Sequence, residues 1–434
     1  MRRPILALLS TALLCSAASA QQPPPQPAVI AIRAGKLIDV EAGRVLTNQI
    51  ILIRGEKIEA LGENLPIPAG AQVIDLSKMT VLPGLIDCHT HLVGDPKDAD
   101  PLSELKKTAA QRAFESIPNA RATLLAGFTT VRDVGAYRAF VDLALRDAIN
   151  RGDVIGPRMF VAGAYITITG GGGAVNGPAP DITLPWDMRF GVADGPDQVR
   201  QRVRALEQFG VDHIKVIASG AFLSHGSNPA SDDFTYEEIR AAVEEASKKG
   251  LRVAAHAHAA SSIKNAVRAG VASIEHGTML DDEAIRMMKD RGAYLVADVY
   301  DDDCILSPQA DNSQPADFQA KERQFGKLQR ENFRKAVLAG VNIAFGTDAA
   351  VCPHGTNARQ FAYQVKYGQT PMQAIQSATI NAATLIGKPE EFGSLRPGKS
   401  ADIIAVSDDP LANIRSLENV QFVMKQGQIF KQDR

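Results

Sequence analysis

Eight short apolar, strand-like runs, with helix-like stretches between many of them, constrain this chain more than any other feature. The runs are Leu85 to Cys88, Thr129 to Val134, Arg158 to Ala162, His213 to Ala218, Arg252 to Ala255, Ala272 to Glu275, Ala293 to Val299 and Asn342 to Phe345. Amphipathic spacing marks helices over Asp197 to Phe209, Thr235 to Lys249, Ser261 to Ala269, Asp281 to Arg291 and Ala320 to Ala339. Strand and helix alternating eight times predict an α/β fold, a (β/α)8 TIM barrel over 81–389, with its chemistry where strands run into the following loops.

Both ends of the chain have another texture. Residues 28–80 hold short β-like runs (Ala28 to Arg33, Gln49 to Arg54, Gln72 to Asp75) broken by Gly and Pro, and 390–434 repeats the pattern at Asp402 to Val406 and Val420 to Lys425. Before them, Met1-Arg-Arg-Pro supplies a basic start, Ile5 to Leu14 an apolar run and Ala18-Ser-Ala20 a cleavage site. Residues 1–20 therefore read as a signal peptide, and 21–27 as a Pro/Gln-rich lead-in, so the mature protein is expected in the periplasm or secreted. The apolar run falls short of the roughly 20 residues that span a bilayer, and no other stretch approaches that length, so no stable membrane insertion is expected.

Charge narrows the partners. With 47 Lys+Arg against 49 Asp+Glu, neither a nucleic-acid surface nor an anionic-membrane surface is indicated, which leaves a small molecule. Cys88, Cys304 and Cys352 remain once the leader is removed, with no close spacing. They are not a disulfide framework. Export permits a Cys304 to Cys352 bridge, and free thiols are equally compatible with the sequence.

The ionisable residues gather at the predicted strand ends. His89 and His91 close the first run at i and i+2, so both point to one face. His256 and His258 do the same on the fifth, His276 ends the sixth, and Asp348 follows the eighth. Lys215 shares a face with His213 and Ile217, and an ammonium inside a barrel must be partnered, deprotonated or modified. Reaction with carbon dioxide would make Lys215 an N-carboxylate able to bridge two cations; a Lys reaching a rim carboxylate is the other reading.

Imidazole and carboxylate donors without a thiolate suit Zn²⁺ or a similar divalent ion. The candidates exceed what one tetrahedral site uses, so two ions are implied. Such a pair furnishes hydroxide at neutral pH and polarises a carbonyl, and Asp348 is placed to accept the proton and return it to a leaving nitrogen.

Taken in order, Pro83-Gly-Leu-Ile-Asp-Cys-His-Thr-His91, Thr130-Val-Arg-Asp-Val-Gly135, Lys215, His256, His276, Gly346-Thr-Asp348 and Gly393-Ser-Leu-Arg-Pro-Gly-Lys-Ser-Ala-Asp402 form a specific set. Over nearly the whole mature length the chain resembles the metal-dependent amidohydrolase superfamily. Within it, the chain looks most like the branch of imidazolonepropionase-like proteins, Xaa-Pro dipeptidases and ochratoxinase-type enzymes. The resemblance implies that His89 and His91 hold the more buried ion, that carboxylated Lys215 bridges, that His256 and His276 hold the second ion, and that Asp348 binds the first and shuttles the proton. Spacing leaves His256 and His258 equivalent; the family pattern favours His256 and turns His258 to the substrate. The resemblance also implies that residues 28–80 and 390–434 join in one small β-sandwich domain, and that the protein is a homo-oligomer, in some relatives an octamer. Relatives often read Thr-Gly-Gly-His after the third strand, whereas this chain has Thr169-Gly-Gly-Gly172, so their substrate preference does not carry over.

The expected activity is a carboxypeptidase-like or prolidase-like hydrolysis of the amide in N-acyl amino acids or dipeptides, with ochratoxin A a substrate by resemblance. Tyr137, Arg138 and His258 are the candidates to receive the substrate, its carboxylate included. A deaminase on this fold typically needs no bridging Lys. A cyclic-amide hydrolase or lactonase would use the same site, and a binding protein on the same scaffold would retain no such complete ligand set.

Overall fold

The computed structural model describes residues 28–98, 100–306 and 315–433, so the expected signal peptide and lead-in lie outside the described residues. The N-terminal part forms β1 (Val29–Asp39), β2 (Arg44–Arg54), β3 (Lys57–Glu63) and β4 (Gln72–Pro83). Eight strands follow with helices between them: β5 (Leu85–Thr90), β6 (Phe128–Asp133), β7 (Arg158–Val161), β8 (Ile214–Ile217), β9 (Val253–Ala257), β10 (Ser273–His276), β11 (Tyr294–Val296) and β12 (Asn342–Ile343). The chain closes with β13 (Ile403–Val406), β14 (Phe422–Lys425) and β15 (Gln428–Gln432).

Both chain ends enter one seven-stranded mixed sheet, ordered β15-β14-β13-β4-β1-β2-β3. The join is the antiparallel pairing of β13 with β4, from Ile403 opposite Pro83 to Val406 opposite Thr80. Alternation then sorts neighbouring residues into two cores. Ile403 and Ala405 meet Ile32, Ile51, Ile74 and Met424 inside the sheet domain, while Ile404 and Val406 turn to Leu85, Phe128, Phe345 and Phe361 of the barrel. The sheet curls until its outer hairpins touch, and a Cβ at Gly427 would collide with the carbonyl of Gly55.

Strands β5 to β12 are all parallel, and hydrogen bonds cross both seams of the barrel. Asp212 N donates to Val161 O at 2.8 Å and Ile217 N to Ile166 O at 2.9 Å. On the other seam Cys88 N donates to Phe345 O at 2.8 Å and His91 N to Ala349 O at 2.9 Å. Asp87 staples this second seam: its carboxylate accepts from the Thr347 hydroxyl at 2.6 Å and the Asn357 amide at 2.8 Å. The barrel expected from residue 81 begins at Leu85, since Val81 to Pro83 complete β4. Gly84 makes the corner, because a Cβ there would run into the Thr129 side chain.

The helices start and stop where their sequences say. Tyr236–Ser247 opens on a Thr235 and Glu238 capping box, and Ala260–Ala269 ends at Gly270, whose φ of 99° suits glycine and lets β10 begin three residues later. The long helix spans Ala316–Ala339, four residues earlier than its apolar pattern begins.

A disulfide joins Cys304 to Cys352, with Cα atoms 5.5 Å apart and a sequence separation of 48. It links the segment after β11 to the loop that carries Asp348. Replacing both cysteines by Ala is expected to lower stability by about 2–4 kcal/mol, read as a drop in the thermal midpoint; an unchanged midpoint would deny the bridge a stabilising role.

Candidate active site

All six residues singled out as ligands converge at the C-terminal mouth of the barrel. His89 and His91 leave β5 on one face, and each has one ring nitrogen fixed. His89 Nδ1 lies 2.9 Å from Glu275 Oε2 and His91 Nδ1 lies 2.7 Å from the carbonyl of Gly135. Both acceptors require an N–H at Nδ1, so Nε2 is the nitrogen left to bind a cation in the neutral ring or to donate to Asp348 in the protonated one. Those two nitrogens face Asp348 Oδ1, at 3.5 and 3.1 Å. Burial pushes the Asp348 carboxyl up, but His89 and His91 outweigh it and hold it well below the usual carboxylate range.

The second group comes from β9 and β10. The rings of His256, His258 and His276 have centroids 4.5 to 4.8 Å apart. His276 Nδ1 sits 2.8 Å from Asp298 Oδ2, His258 Nδ1 sits 2.8 Å from the Thr278 hydroxyl, and His256 Nε2 sits 3.2 Å from Gly220 O. Three sets of side chains therefore bring ligand atoms within 4.8 Å of one another: His89, His91 and Asp348; His256, His258 and His276; and His276, Asp298 and Asp348. His256 and His258 remain equivalent by this measure.

Lys215, on β8, lines the same cavity and is 2% exposed. Among the described residues no carboxylate lies within ion-pair distance of it, so the rim-carboxylate reading is not what the geometry shows. Burial pushes its ammonium down to about 8, against the pull of Glu275 and Asp348. A lysine in that range has a substantial neutral fraction, and the neutral amine is the form that adds to carbon dioxide.

The cavity in front of these groups measures about 190 Å³ and is walled by Tyr137, Tyr165, Phe222, Gly172, Gly173 and Val351 among others. Arg138 also lines it, yet its guanidinium is engaged elsewhere: it donates to Asp187 Oδ2 at 2.9 Å and to the carbonyls of Glu104 and Lys107 at 2.8 and 2.7 Å. Tyr137 is half-buried and packs edge-on to Tyr165, and His258 packs edge-on to Phe222. Gly172 donates its N–H to Asp233 at 2.7 Å, and a Cβ there would lie 2.9 Å from Ala221 N, so this loop meets the cavity with backbone only.

The remaining histidines stay outside the cluster. His213 is buried with neither ring nitrogen hydrogen-bonded. His225 Nε2 lies 3.1 Å from Asp100 Oδ1 and its Nδ1 3.4 Å from Asp317 Oδ2, and His354 reaches Gly94 O at 2.9 Å. Glu275 and Asp298 were not read from the sequence as parts of the site. A strict alternation puts Glu275 and His276 on opposite faces, but His276 has φ 69° and Asp348 φ 48°. The left-handed turn at His276 brings both side chains against His89.

Comparison with known proteins bears on this geometry. The sequence pattern described as the amidohydrolase family matches residues 80–430. The chain is 32% identical to ochratoxinase of Aspergillus niger over 424 residues, covering 93% of this chain and 87% of that one. A crystal structure of a Xaa-Pro dipeptidase with methionine bound in its active site superposes with a TM-score of 0.88 at 39% identity, covering 93% of this chain and all of that one. A prolidase complexed with N-methylphosphonate-L-proline superposes with a TM-score of 0.87 at 31% identity, covering 93% and 100% of the two chains.

Partners that fix a ligating imidazole typically change metal affinity by 10- to 100-fold. Glu275→Gln is therefore expected to weaken Zn²⁺ or Co²⁺ binding by about that factor, measured by competition with a chromophoric chelator. Unchanged affinity would show that the Glu275 contact does not orient His89.

Proposed function

We propose, from the premise that this chain belongs to the amidohydrolase family and is a hydrolase of amide bonds, that it works with two divalent ions on the amide linking an acyl group to an amino acid. The observation that carries the two-ion reading is the placement of a buried, unpaired Lys215 in the same cavity as two separate sets of ligands.

The donor set fits the ions. His89 and His91 present lone pairs to the same point as Asp348, and the imidazoles of His256 or His258 with His276 offer a second all-nitrogen set. Nitrogen and oxygen donors suit Zn²⁺. As an N-carboxylate, Lys215 would replace an uncompensated cation by an anion shared between the sets, which removes the cost of burying it alone. When bound, the ions supply Lewis acidity and a nucleophile usable at neutral pH.

The chain's own residues do the rest. Asp348, ionised, is placed to accept a proton and deliver it to the departing nitrogen. Tyr137, Tyr165 and Phe222 wall the cavity and hold an apolar acyl group away from water. With the Arg138 fork engaged by Asp187 and two carbonyls, the substrate carboxylate falls to Tyr137, His258 and backbone N–H groups. N-acyl amino acids and dipeptides fit this arrangement, ochratoxin A among them. Cyclic amides and lactones are the second reading, since the same nucleophile would open them.

The proposal extends to an exported homo-oligomer. The leader over residues 1–20 and the Cys304–Cys352 bridge both suit an oxidising compartment. No helix among the described residues is long and apolar enough to cross a membrane.

A panel of N-acyl amino acids, Xaa-Pro dipeptides, lactones and ochratoxin A tests the reading on metal-replete protein. Amide turnover is expected, and lactone turnover without any amide would overturn it. Lys215→Ala should lose most activity and bind less metal by elemental analysis, whereas full retention of both would remove the bridging role.

A further inference from the structure

One face of the helix Ala316–Ala339 bears on the cavity wall rather than on the ligands. Asp317, Lys321 and Phe325 follow at i, i+4 and i+8, a spacing that keeps them on one side of a helix. All three reach the same short stretch, residues 222–225, in the connection after β8. Asp317 Oδ2 lies 3.4 Å from His225 Nδ1. Lys321 Nζ donates to the carbonyl of Ser224 at 2.6 Å and to that of Phe222 at 3.2 Å. The Phe325 ring stands edge-on to the Phe222 ring, with centroids 6.1 Å apart.

Phe222 is the side chain that this helix face places. It is 8% exposed, lines the cavity, and meets the His258 imidazole edge-on at 4.5 Å. Two residues earlier, the Gly220 carbonyl lies 3.2 Å from His256 Nε2. The stretch therefore touches both histidines of β9, and its position decides what surface a substrate finds beside them.

The ends of the stretch are tied within the connection itself. Gly220 N donates to Ser231 O at 3.1 Å and Ala221 N to the Ser227 hydroxyl at 2.9 Å. Between those ties the carbonyls turn to Lys321, and the Asn176 amide donates to the Ser224 hydroxyl at 3.2 Å. The Lys321 side chain is 15% exposed, and its nearest carboxylate, Asp317, is 3.8 Å away, so the two carbonyls are its closest partners. A donor that carries a charge makes stronger hydrogen bonds than a neutral one. Sharing it between two carbonyls fixes the backbone on both sides of Leu223.

We infer that Lys321 is a positioning residue: by holding the carbonyls of Phe222 and Ser224 it places the Phe222 ring as the packing surface for an apolar group of the substrate. The inference rests on the amide-hydrolase reading and adds to it a determinant of specificity. Lys321 acts through Phe222. The apolar group has two sources, the side chain of the departing amino acid or the acyl group, and two matched pairs separate them. N-acetyl-Phe against N-acetyl-Ala tests the first, and N-benzoyl-Ala against N-acetyl-Ala the second.

In at least one pair the aromatic member is expected to have a kcat/KM about tenfold or more above the small one. Lys321→Met keeps the apolar stem and removes the donors, and it should lower that ratio about tenfold, chiefly through KM. Lys321→Arg offers both carbonyls a cationic fork and should restore most of the preference. Phe222→Ala should also lower the ratio, and adding Lys321→Met to it should lower it no further. The ratio is independent of how much variant protein is folded, and Lys321→Gln reads the same quantity where Lys321→Met yields no soluble protein. A ratio left intact by these Lys321 variants, a double variant whose loss is the product of the two single losses, or a parent with no preference in either pair would overturn the positioning role and leave the hydrolase reading standing. Absence of turnover on every amide would sink the hydrolase reading, and this inference with it.

Discussion

The barrel interior depends on one buried carboxylate. Glu275 is fully buried on β10, and its two oxygens join three strands. One accepts from His89 on β5, and the other accepts from Arg132 on β6 at 2.7 Å, with the Ser273 hydroxyl beside it. Arg132 continues the chain of contacts by donating to the carbonyl of Cys88 at 2.6 Å. Burial raises the Glu275 carboxyl, but Arg132 and Lys215 outweigh it and hold it below its ordinary range. An ion pair of this kind is no surplus of stability, since desolvation offsets most of its attraction; breaking it is what is expensive, by about 3–5 kcal/mol. Its role is therefore specificity of arrangement: it fixes which nitrogen of His89 faces the cavity.

The same logic explains where the backbone is strained. Left-handed φ values at His276, Asp348 and Ala350 fall on residues with a Cβ, each an uncommon conformation carrying about 1–3 kcal/mol. They are tolerated because the surroundings over-determine them. Val351 N donates to Asp348 O at 2.9 Å and Ala350 N to Cys352 O at 3.2 Å, and Cys352 is itself bonded to Cys304. The loop bearing Asp348 is thus held by a seam of the barrel on one side and a covalent bridge on the other.

Much of this was legible in the sequence, and what was missed shares a cause. Local patterns announce themselves: His-X-His at i and i+2, a Lys within an apolar strand, and helices with capping residues all report on their own few neighbours. All eight barrel strands fell within a residue or two of their apolar runs, except that Ala293 to Val299 and Asn342 to Phe345 shrank to three and two paired residues as the chain peeled off toward the site. Partners distant in sequence announce nothing. Glu275 next to His276 read as the outward residue of an alternating pair, and only the left-handed turn reverses it. Arg138 at a strand end read as a receiver of anions, whereas Asp187, 49 residues on, occupies it.

These non-local contacts fix which side chains face the cavity. At the barrel mouth stand the imidazoles, Lys215 and Asp348; another wall carries Asp301 and Glu322, whose carboxyls burial pushes up, with Arg330 turned away to Asp302 and Asp303. Low-dielectric walls leave any charge there less screened than it would be in bulk water. A substrate held between fixed walls has fewer orientations open to it, and the Cys304–Cys352 bridge ties the wall after β11 to the loop that carries Asp348. Orientation of this kind lowers the entropic part of a barrier before any bond changes. The fold supplies it with residues that, taken one by one in the sequence, carry no sign of acting together.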